Sequence, residues 1–538
     1  MTIEKDAKPQ HGVGRRSVVI GAASTTMLTP LALRAADAEP VATTSAGKVR
    51  GKVNKGVSVF RGVPYGANTG GANRFKPPMK PVAWTGVKDA FTNGPSAPQD
   101  SGDPGGELIG DAMLMGNTTL SEDCLTLNVY TPGVSGKRAV MVWLHGGAFV
   151  YGSGTARAYD GTNLARRGDV VVVGVNHRLN AFGYLYLGDA LGADYATSGN
   201  AGMLDLVAAL QWVRDNIAQF GGDPNNVTIF GQSGGGSKVS ILMAMPQAKG
   251  LFHKAIVQSG SALRQRTKEE AIQNTEVCLK ALGLTKERAG ELRNVPMDKL
   301  VDLMRGNDGT RRFGPMVDGI SLPRHSFDPD APEGTADVPM IIGTTETEGT
   351  YRFAKTDPIF NLSEAQMMEK LQATLGENTG KVVAKYKTSM PNATPTDLYW
   401  VISTEAATVR GAHVQAARKA AQKRAPAYLY SFAWRTKVLG GVYRSPHTIE
   451  IPFAFDTTGE VASEVGTDAK VLKAMTDNVS NAWVAFAKTG NPNVPGQQNW
   501  PAYNPEAKAI FVFDEKPQLM SKERLADLDL LASLPRKA

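Results

Sequence analysis

Ser233 stands in Gly231-Gln232-Ser233-Gly234-Gly235, directly after the apolar run Val227-Thr228-Ile229-Phe230 and before a helix-compatible segment. A serine in a Gly-x-Ser-x-Gly turn between strand and helix is placed to act as a nucleophile. The outer glycines allow a sharp turn and close strand–helix packing, which pushes the hydroxyl out at the end of the sheet. In a chain with 57 glycines the pentapeptide also reads as a glycine-rich turn with a bystander serine, so its partners must decide. A serine hydroxyl is a poor nucleophile at neutral pH; it needs a base, and the base needs an orienting acid.

With a nucleophile on such a turn, the chain order is nucleophile, acid, histidine. Of seven histidines, only His413 and His447 come late. His413 falls in a helical pattern and reads as structural. His447 falls in the loop-like stretch Tyr443-Arg444-Ser445-Pro446-His447-Thr448-Ile449-Glu450, where a reachable base belongs. For the acid, Glu346 and Glu348 both follow the strand-like run Met340-Ile341-Ile342, and spacing does not choose between them. Upstream, His145-Gly146-Gly147-Ala148-Phe149 follows Val140-Met141-Val142-Trp143-Leu144. Its small residues expose backbone N–H groups. With the N–H of Gly234, these would stabilise the negative oxygen of a tetrahedral intermediate.

The elements that must hold these residues are legible as apolar runs. Val140 to Leu144, Val170 to Val173, Val227 to Phe230, Ala255 to Val257, Met340 to Ile342 and Tyr428 to Tyr430 read as strands of a parallel sheet covered on both faces. Met203 to Phe220 reads as a helix, with Leu206, Leu210, Val213 and Ile217 on one face and Gly221-Gly222-Asp223-Pro224 ending it. The alternation predicts a doubly wound α/β architecture, with residues 264–312 as a polar, helical accessory segment.

At 538 residues, 42% hydrophobic and 20% charged, the chain has ample core-forming material for one large α/β domain or two or three smaller ones. The +8 net charge is scattered and no nucleic-acid motif accompanies it, so a nucleic-acid partner is not expected. No run of 18 or more strongly apolar residues predicts a membrane span. Arg15-Arg16, the small-residue run Ser17 to Leu33 and Ala36-Asp37-Ala38 read as a twin-arginine export signal over residues 1–38, with a mature domain over 39–538 that is periplasmic or secreted. Cys124 and Cys278 read as buried, unpaired thiols, and no ligand spacing calls for a metal or another cofactor.

Further motifs run through the chain: Phe60-Arg61-Gly62-Val63-Pro64-Tyr65, Arg74-Phe75, Ser121-Glu122-Asp123-Cys124-Leu125-Thr126-Leu127-Asn128, Phe220-Gly221-Gly222-Asp223-Pro224, the segment Trp483 to Asn493, and Trp500-Pro501-Ala502-Tyr503. In these and in the Ser233 turn the chain resembles the type B carboxylesterase family, the group that includes bacterial p-nitrobenzyl esterases and the cholinesterases. The resemblance implies an α/β-hydrolase fold and a metal-independent serine esterase acting through an acyl-enzyme. It maps the family's acid onto Glu348, leaving Glu346 in reserve, and the base onto His447. It maps the oxyanion donors onto Gly147 and Ala148, with Gly146 beside them and Gly234 across. Arg74 and Glu122 match a structural ion pair, and Ser259 matches a serine supporting the triad from behind.

The chain departs from that pattern at four places. Gln232 replaces the usual glutamate before the nucleophile, which removes a negative charge beside the site. Ala97 leaves Cys124 without its usual partner. No tryptophan lies between Gln99 and Glu122, so the platform that binds choline is missing. His177 stands where tyrosine is common. Cationic choline esters are therefore not expected. With neutral Gln232, the basic residues Arg264, Arg266, Arg311 and Arg312 would tolerate an anionic acyl group, but they also read, and more simply, as a solvated basic surface. The expected partner is a small-molecule ester. Two alternatives share the scaffold: a non-catalytic adhesion protein, and a hydrolase whose bond is an amide or carbamate.

Overall fold

In the computed structural model the described residues are 39–100, 116, 119–305 and 313–535; the expected export signal over 1–38, and Arg311 and Arg312, lie outside them. The first strands are β1 (Val41–Thr43), β2 (Lys48–Arg50), β3 (Lys52–Asn54), β4 (Val57–Pro64) and β5 (Val87–Asp89). Of these, β1, β2 and β5 form a small separate sheet. The rest join β6 (Thr126–Thr131), β7 (Arg138–Leu144), β8 (Val171–Val175), β9 (Gly222–Gln232), β10 (Lys254–Gln258), β11 (Met340–Thr345), β12 (Ala427–Phe432), β13 (Ile510–Phe513) and β14 (Gln518–Leu519).

The large sheet has eleven strands in the order β14-β13-β12-β11-β10-β9-β7-β8-β6-β4-β3. From β8 through β13 every pairing is parallel, and the flanking pairs are antiparallel. All six apolar runs expected as strands lie in this parallel centre. The antiparallel flanks β3, β4 and β6, and the outer strands β13 and β14, were not expected as strands. Most of them mix apolar and polar residues, as in Thr126–Thr131, and lack the continuous apolar signal of a doubly covered strand; β13, Ile510-Phe511-Val512-Phe513, carries that signal and was missed.

Helices cover both faces. Those that matter here are α1 (Ala201–Asn216), α2 (Gly234–Leu242), α3 (Pro395–Thr404), α4 (Arg410–Ala421), α5 (Ala469–Thr489) and α6 (Lys522–Ser533). The predicted helix Met203 to Phe220 is α1 plus a 3-10 turn at Ile217–Phe220, ended by Gly221 at φ 75°. Alternation along the strands divides the core. Val140, Val142 and Leu144 join a largely aliphatic cluster on one face; Met141 and Trp143 join an aromatic one on the other. The accessory segment is helical, with helices at Lys268–Ala281 and Met297–Asp302. Arg74 pairs with Glu122 as the resemblance implied. Cys124 and Cys278 are both buried, and neither forms a disulfide. This layered, mostly parallel sheet is the α/β-hydrolase fold.

Candidate active site

The carboxyl end of β9 runs straight into α2, and Ser233 is the single residue between them. It holds φ 57° and ψ −122°, a region a non-glycine residue enters only under constraint. The constraint comes from its neighbours. The Ser233 N–H donates to the Gln258 carbonyl at 2.8 Å, and the Ser233 carbonyl accepts from Ser237 N–H at 2.9 Å. A Cβ on Gly231 would lie 2.6 Å from the Leu144 carbonyl and from Gly235; one on Gly235 would collide with the same carbonyl. Strand β7, strand β9 and helix α2 meet too closely here for any side chain.

The loop after β7 packs on α2 at three points. The backbone of Ala148 lies against Gly234, and the carbonyls of Leu144 and His145 lie against Gly235. One turn further on, the Lys238 ammonium donates to the His145 carbonyl at 2.9 Å and lies 5.6 Å from the Phe149 ring centre. Gly234 and Lys238 are four apart, hence on one helix face. Lys238 is fully buried, and that burial brings its pKa down to about 7. Gly147 at φ 85° and Ala148 at φ 50° turn the loop. Among the described residues neither the Gly147 nor the Ala148 N–H donates to another group. Gly234, first residue of α2, lies in the turn whose N–H groups have no intrahelical acceptor. Gly146 lies beneath, over the Gln232 carbonyl.

Behind the loop, His145 and His177 stack at 4.8 Å. Burial, with Lys238 nearby, holds both well below the ordinary histidine pKa. As neutral rings they must donate Nδ1–H to the carbonyls of Gly146 (2.8 Å) and Arg178 (2.9 Å), since a carbonyl only accepts. His177 is thus a packing partner of the loop.

His447 and Glu348 come from separate loops that are sewn together. Thr347 N–H donates to the Ser445 carbonyl at 3.1 Å, and Ser445 N–H returns to Thr347 Oγ1 at 3.0 Å. The His447 Nδ1 hydrogen-bonds the Glu348 Oε2. The other oxygen, Oε1, accepts from Thr345 N–H at 3.0 Å, while the Glu348 N–H donates to Thr404 Oγ1 at 3.1 Å. Thr404 ends α3, and a π-helix, Glu405–Val409, follows it. Glu346 is turned away, its carboxylate held by Arg435 at 2.9 and 3.1 Å. His413 lies apart on α4, against Tyr503.

Two side chains flank the imidazole. Tyr351 stacks on it at 5.4 Å. Gln232 Nε2 lies 3.3 Å from Nδ1 and 3.2 Å from Nε2, so the amide rests against the ring rather than in line with either nitrogen. Gln232 Oε1 is buried without a partner. Ser233, Glu348 and His447 line one cavity of about 350 Å³, with no hydrogen bond between Ser233 and His447 in this resting arrangement. Ser259, at φ 49°, lines it too. Its buried Oγ has no hydrogen-bond partner, so it makes no bonded support for His447 or Glu348.

Three residues that the sequence reading did not single out shape the site, together with Glu450, the glutamate of the His-x-x-Glu motif that the resemblance maps onto His447 to Glu450. Lys238 pins the loop, and its only signal was a charge within a helix of small and apolar residues. Thr404 holds the Glu348 backbone from a segment 56 residues away, with no local signal. Gln258 offers its carbonyl to Ser233 and its side chain to Trp483 Nε1 (3.2 Å) and Glu450 (3.4 Å). Glu450 is fully buried, and burial plus the nearby Glu348 carboxylate push its pKa up to about 7.

The profile described as "Carboxylesterase family" matches residues 38–530. Para-nitrobenzyl esterase of Bacillus subtilis (strain 168) is 37% identical over 494 residues, covering 88% of this chain and 95% of that protein. Phenmedipham hydrolase of Pseudarthrobacter oxydans is 33% identical, covering 89% and 95%. Among solved structures, a carboxylesterase of Geobacillus stearothermophilus superposes with a TM-score of 0.76 at 37% identity, covering 90% of this chain and 99% of that one.

Proposed function

The chain belongs to the type B carboxylesterase family, and from that membership we propose how its residues divide the work of ester hydrolysis. As a carboxylic ester hydrolase it is not a non-catalytic adhesion member. Ser233 Oγ attacks the ester carbonyl while His447 Nε2 takes its proton. Glu348 holds Nδ1–H, which fixes the tautomer and stabilises the imidazolium as it forms. The N–H groups of Gly147, Ala148 and Gly234 receive the developing oxyanion. His447 returns the proton to the departing alcohol. Water, activated by the same imidazole, then releases the acid from Ser233.

The observation that carries this reading is the His447–Glu348 hydrogen bond in the cavity that Ser233 enters from its constrained turn. The missing Ser233–His447 bond fits a free site, where such bonds often tighten only around substrate. A small shift of the imidazole off the Gln232 amide would release its Nε2 for Ser233.

Ser233→Ala should lower kcat for p-nitrophenyl acetate by more than about 10⁴-fold and leave the thermal unfolding midpoint in place. Substantial retained turnover by a folded variant would sink the assignment. Stoichiometric labelling of the wild type by an organophosphonate, lost in the variant, is the matching positive result.

A further inference from the structure

The His447 loop and the Glu348 loop share an anchor behind the cavity, the carboxylate of Asp397. Asp397 is the third residue of α3, and its Oδ2 completes the cap of that helix, accepting from Thr394 Oγ1 at 2.5 Å and from Thr394 N–H at 3.1 Å. Capping occupies only that oxygen. The other, Oδ1, accepts from Arg444 Nε at 2.7 Å and from Arg435 Nη1 at 3.1 Å. Arg444 stands three residues before His447. Arg435 reaches on to Glu346, two residues before Glu348, with Nε and Nη2 on its Oε2. One carboxylate thus ties the base loop directly and the acid loop through a single guanidinium. The far end of the same helix holds the acid a second time, since Thr404 Oγ1 accepts the Glu348 N–H. Between the two ends Trp400 lies against Gly349, where a Cβ would come 3.0 Å from its ring.

The backbone that Asp397 steadies is constrained. Arg444 holds φ 58° and Thr448 φ 77°, so two non-glycine residues in the left-handed region bracket His447. Such conformations persist only where the surroundings over-determine them. At Arg444 those surroundings are the Asp397 carboxylate, the Val442 carbonyl, which accepts from Nη1 at 2.6 Å, and the Thr436 N–H, which donates to the Arg444 carbonyl at 2.9 Å. The Asp397 and Arg444 side chains are only 12% and 11% exposed, so their attraction is little screened. Burial by itself would raise the Asp397 pKa; Thr394 and Arg444 outweigh it and hold it down at about 2, so the anchor is charged at neutral pH.

We propose that Asp397 is a positioning residue for ester hydrolysis: through Arg444 and Arg435 it sets His447 and Glu348 in register with each other. The inference rests on these two being base and acid, and it adds the group behind the cavity that fixes their geometry.

Rates on p-nitrophenyl acetate, counted per site titrated with an organophosphonate, test this. Asp397→Asn and Arg444→Met should each lower kcat about tenfold, part of the roughly 10²–10⁴-fold that positioned proton transfer contributes. KM should stay within about twofold, because the walls that meet the ester are untouched. The acid limb of the kcat/KM profile separates positioning from the field of a lost charge. Glu348, Tyr351, Arg352 and Glu450, the charged and titratable groups around the imidazole, are the same in every variant. Loosening the pair withdraws Glu348 from the protonated base, so the limb moves to lower pH in both variants. A field effect alone moves it down in Asp397→Asn and up in Arg444→Met. The proposal is overturned if folded variants keep the wild-type kcat, or if the limbs stay fixed or move in opposite directions. If either variant fails to fold, Arg435→Gln, at the most exposed member of the network, takes its place. It should show a loss of about threefold, the size of one exposed ion pair, with the same downward limb. An unchanged kcat or an upward limb there also overturns the proposal. In each overturning case the organophosphonate still labels Ser233, which separates this failure from failure of the nucleophile assignment.

Discussion

Just past the carboxyl ends of β7, β9 and β10, Ala148, Ser233 and Ser259 hold φ of 50°, 57° and 49°. A few residues upstream on the same three strands, Trp143, Phe230 and Ile256 are wholly buried in regular strand, in the aromatic face of the core. Each strained residue costs about 1–3 kcal/mol. The aromatic face supplies stability of the opposite kind. Trp143 meets Phe230 at 4.9 Å and Phe455 at 5.0 Å, and Trp500 stacks on Phe511 at 5.0 Å. Aromatic pairs of this sort add about 0.5–1.5 kcal/mol each beyond area burial. The difference teaches that constrained geometry at one end of a strand is held by dense packing at its middle. Gln258 is the visible link, its carbonyl on the Ser233 turn and its side chain on Trp483.

If the two regions are divided in this way, changes at the strand ends should move rate and changes in the aromatic face should move stability. Glu348→Gln should give the larger rate effect, lowering kcat for p-nitrophenyl acetate by about 10⁴-fold by upsetting the His447 tautomer, without lowering the unfolding midpoint. A large stability loss there would break the division. Trp500→Ala should do the reverse, costing about 3–5 kcal/mol in denaturant unfolding. Its kcat should stay within about twofold of wild type below the transition. Loss of rate without loss of stability would contradict the comparison from the other side.

The smallest effect concerns Lys238, a charge buried against the strained loop. Its folded pKa is lowered to about 7 from 10.5. Between those values the unfolded chain holds a proton that the folded chain has released, so stability rises with pH through that window. Below pH 7 the full penalty of burying the ammonium is present. Lys238→Met should therefore raise the unfolding midpoint more at pH 6 than at pH 9, while slowing turnover because the His145 carbonyl loses its clamp. An equal shift at both pH values would mean that Lys238 does not bear the penalty assigned to it.

What could be read in advance followed from local signals. Six of the seven strands in the parallel centre were read from unbroken apolar runs, because strands covered on both faces need to be so; the seventh, Ile510–Phe513, carries the same mark and was passed over. The flanking strands β4 and β6 each meet partly polar surroundings, and their residues carry no such mark. At the site, a nucleophile turn and a glycine-rich loop have short-range signatures. Choosing Glu348 over Glu346 needed the family resemblance, because both follow the same strand and only the tertiary partners differ: Arg435 for one, His447 for the other. Thr404 and Gln258 act across long separations through ordinary polar groups, which no spacing rule could isolate. Ser259 was expected to support the triad, yet its hydroxyl contacts no partner, and its place on the wall between the Ser233 cavity and a neighbouring one of about 570 Å³ emerges only in three dimensions.

The π-helix at Glu405–Val409 has a consequence for how this protein can vary. A π turn accommodates a residue beyond the α-helical count while both flanking helices keep their register. Here those anchors are Thr404 on the Glu348 backbone and Arg418 on Asp328. Between them, Ala407 and Thr408 form the partition of the two cavities. Loss of one residue from this turn would reshape the partition while sparing the anchors at either end. Substrate range could thus drift by changes in chain length at a single helical turn, with the chemistry of Ser233, His447 and Glu348 carried along unchanged.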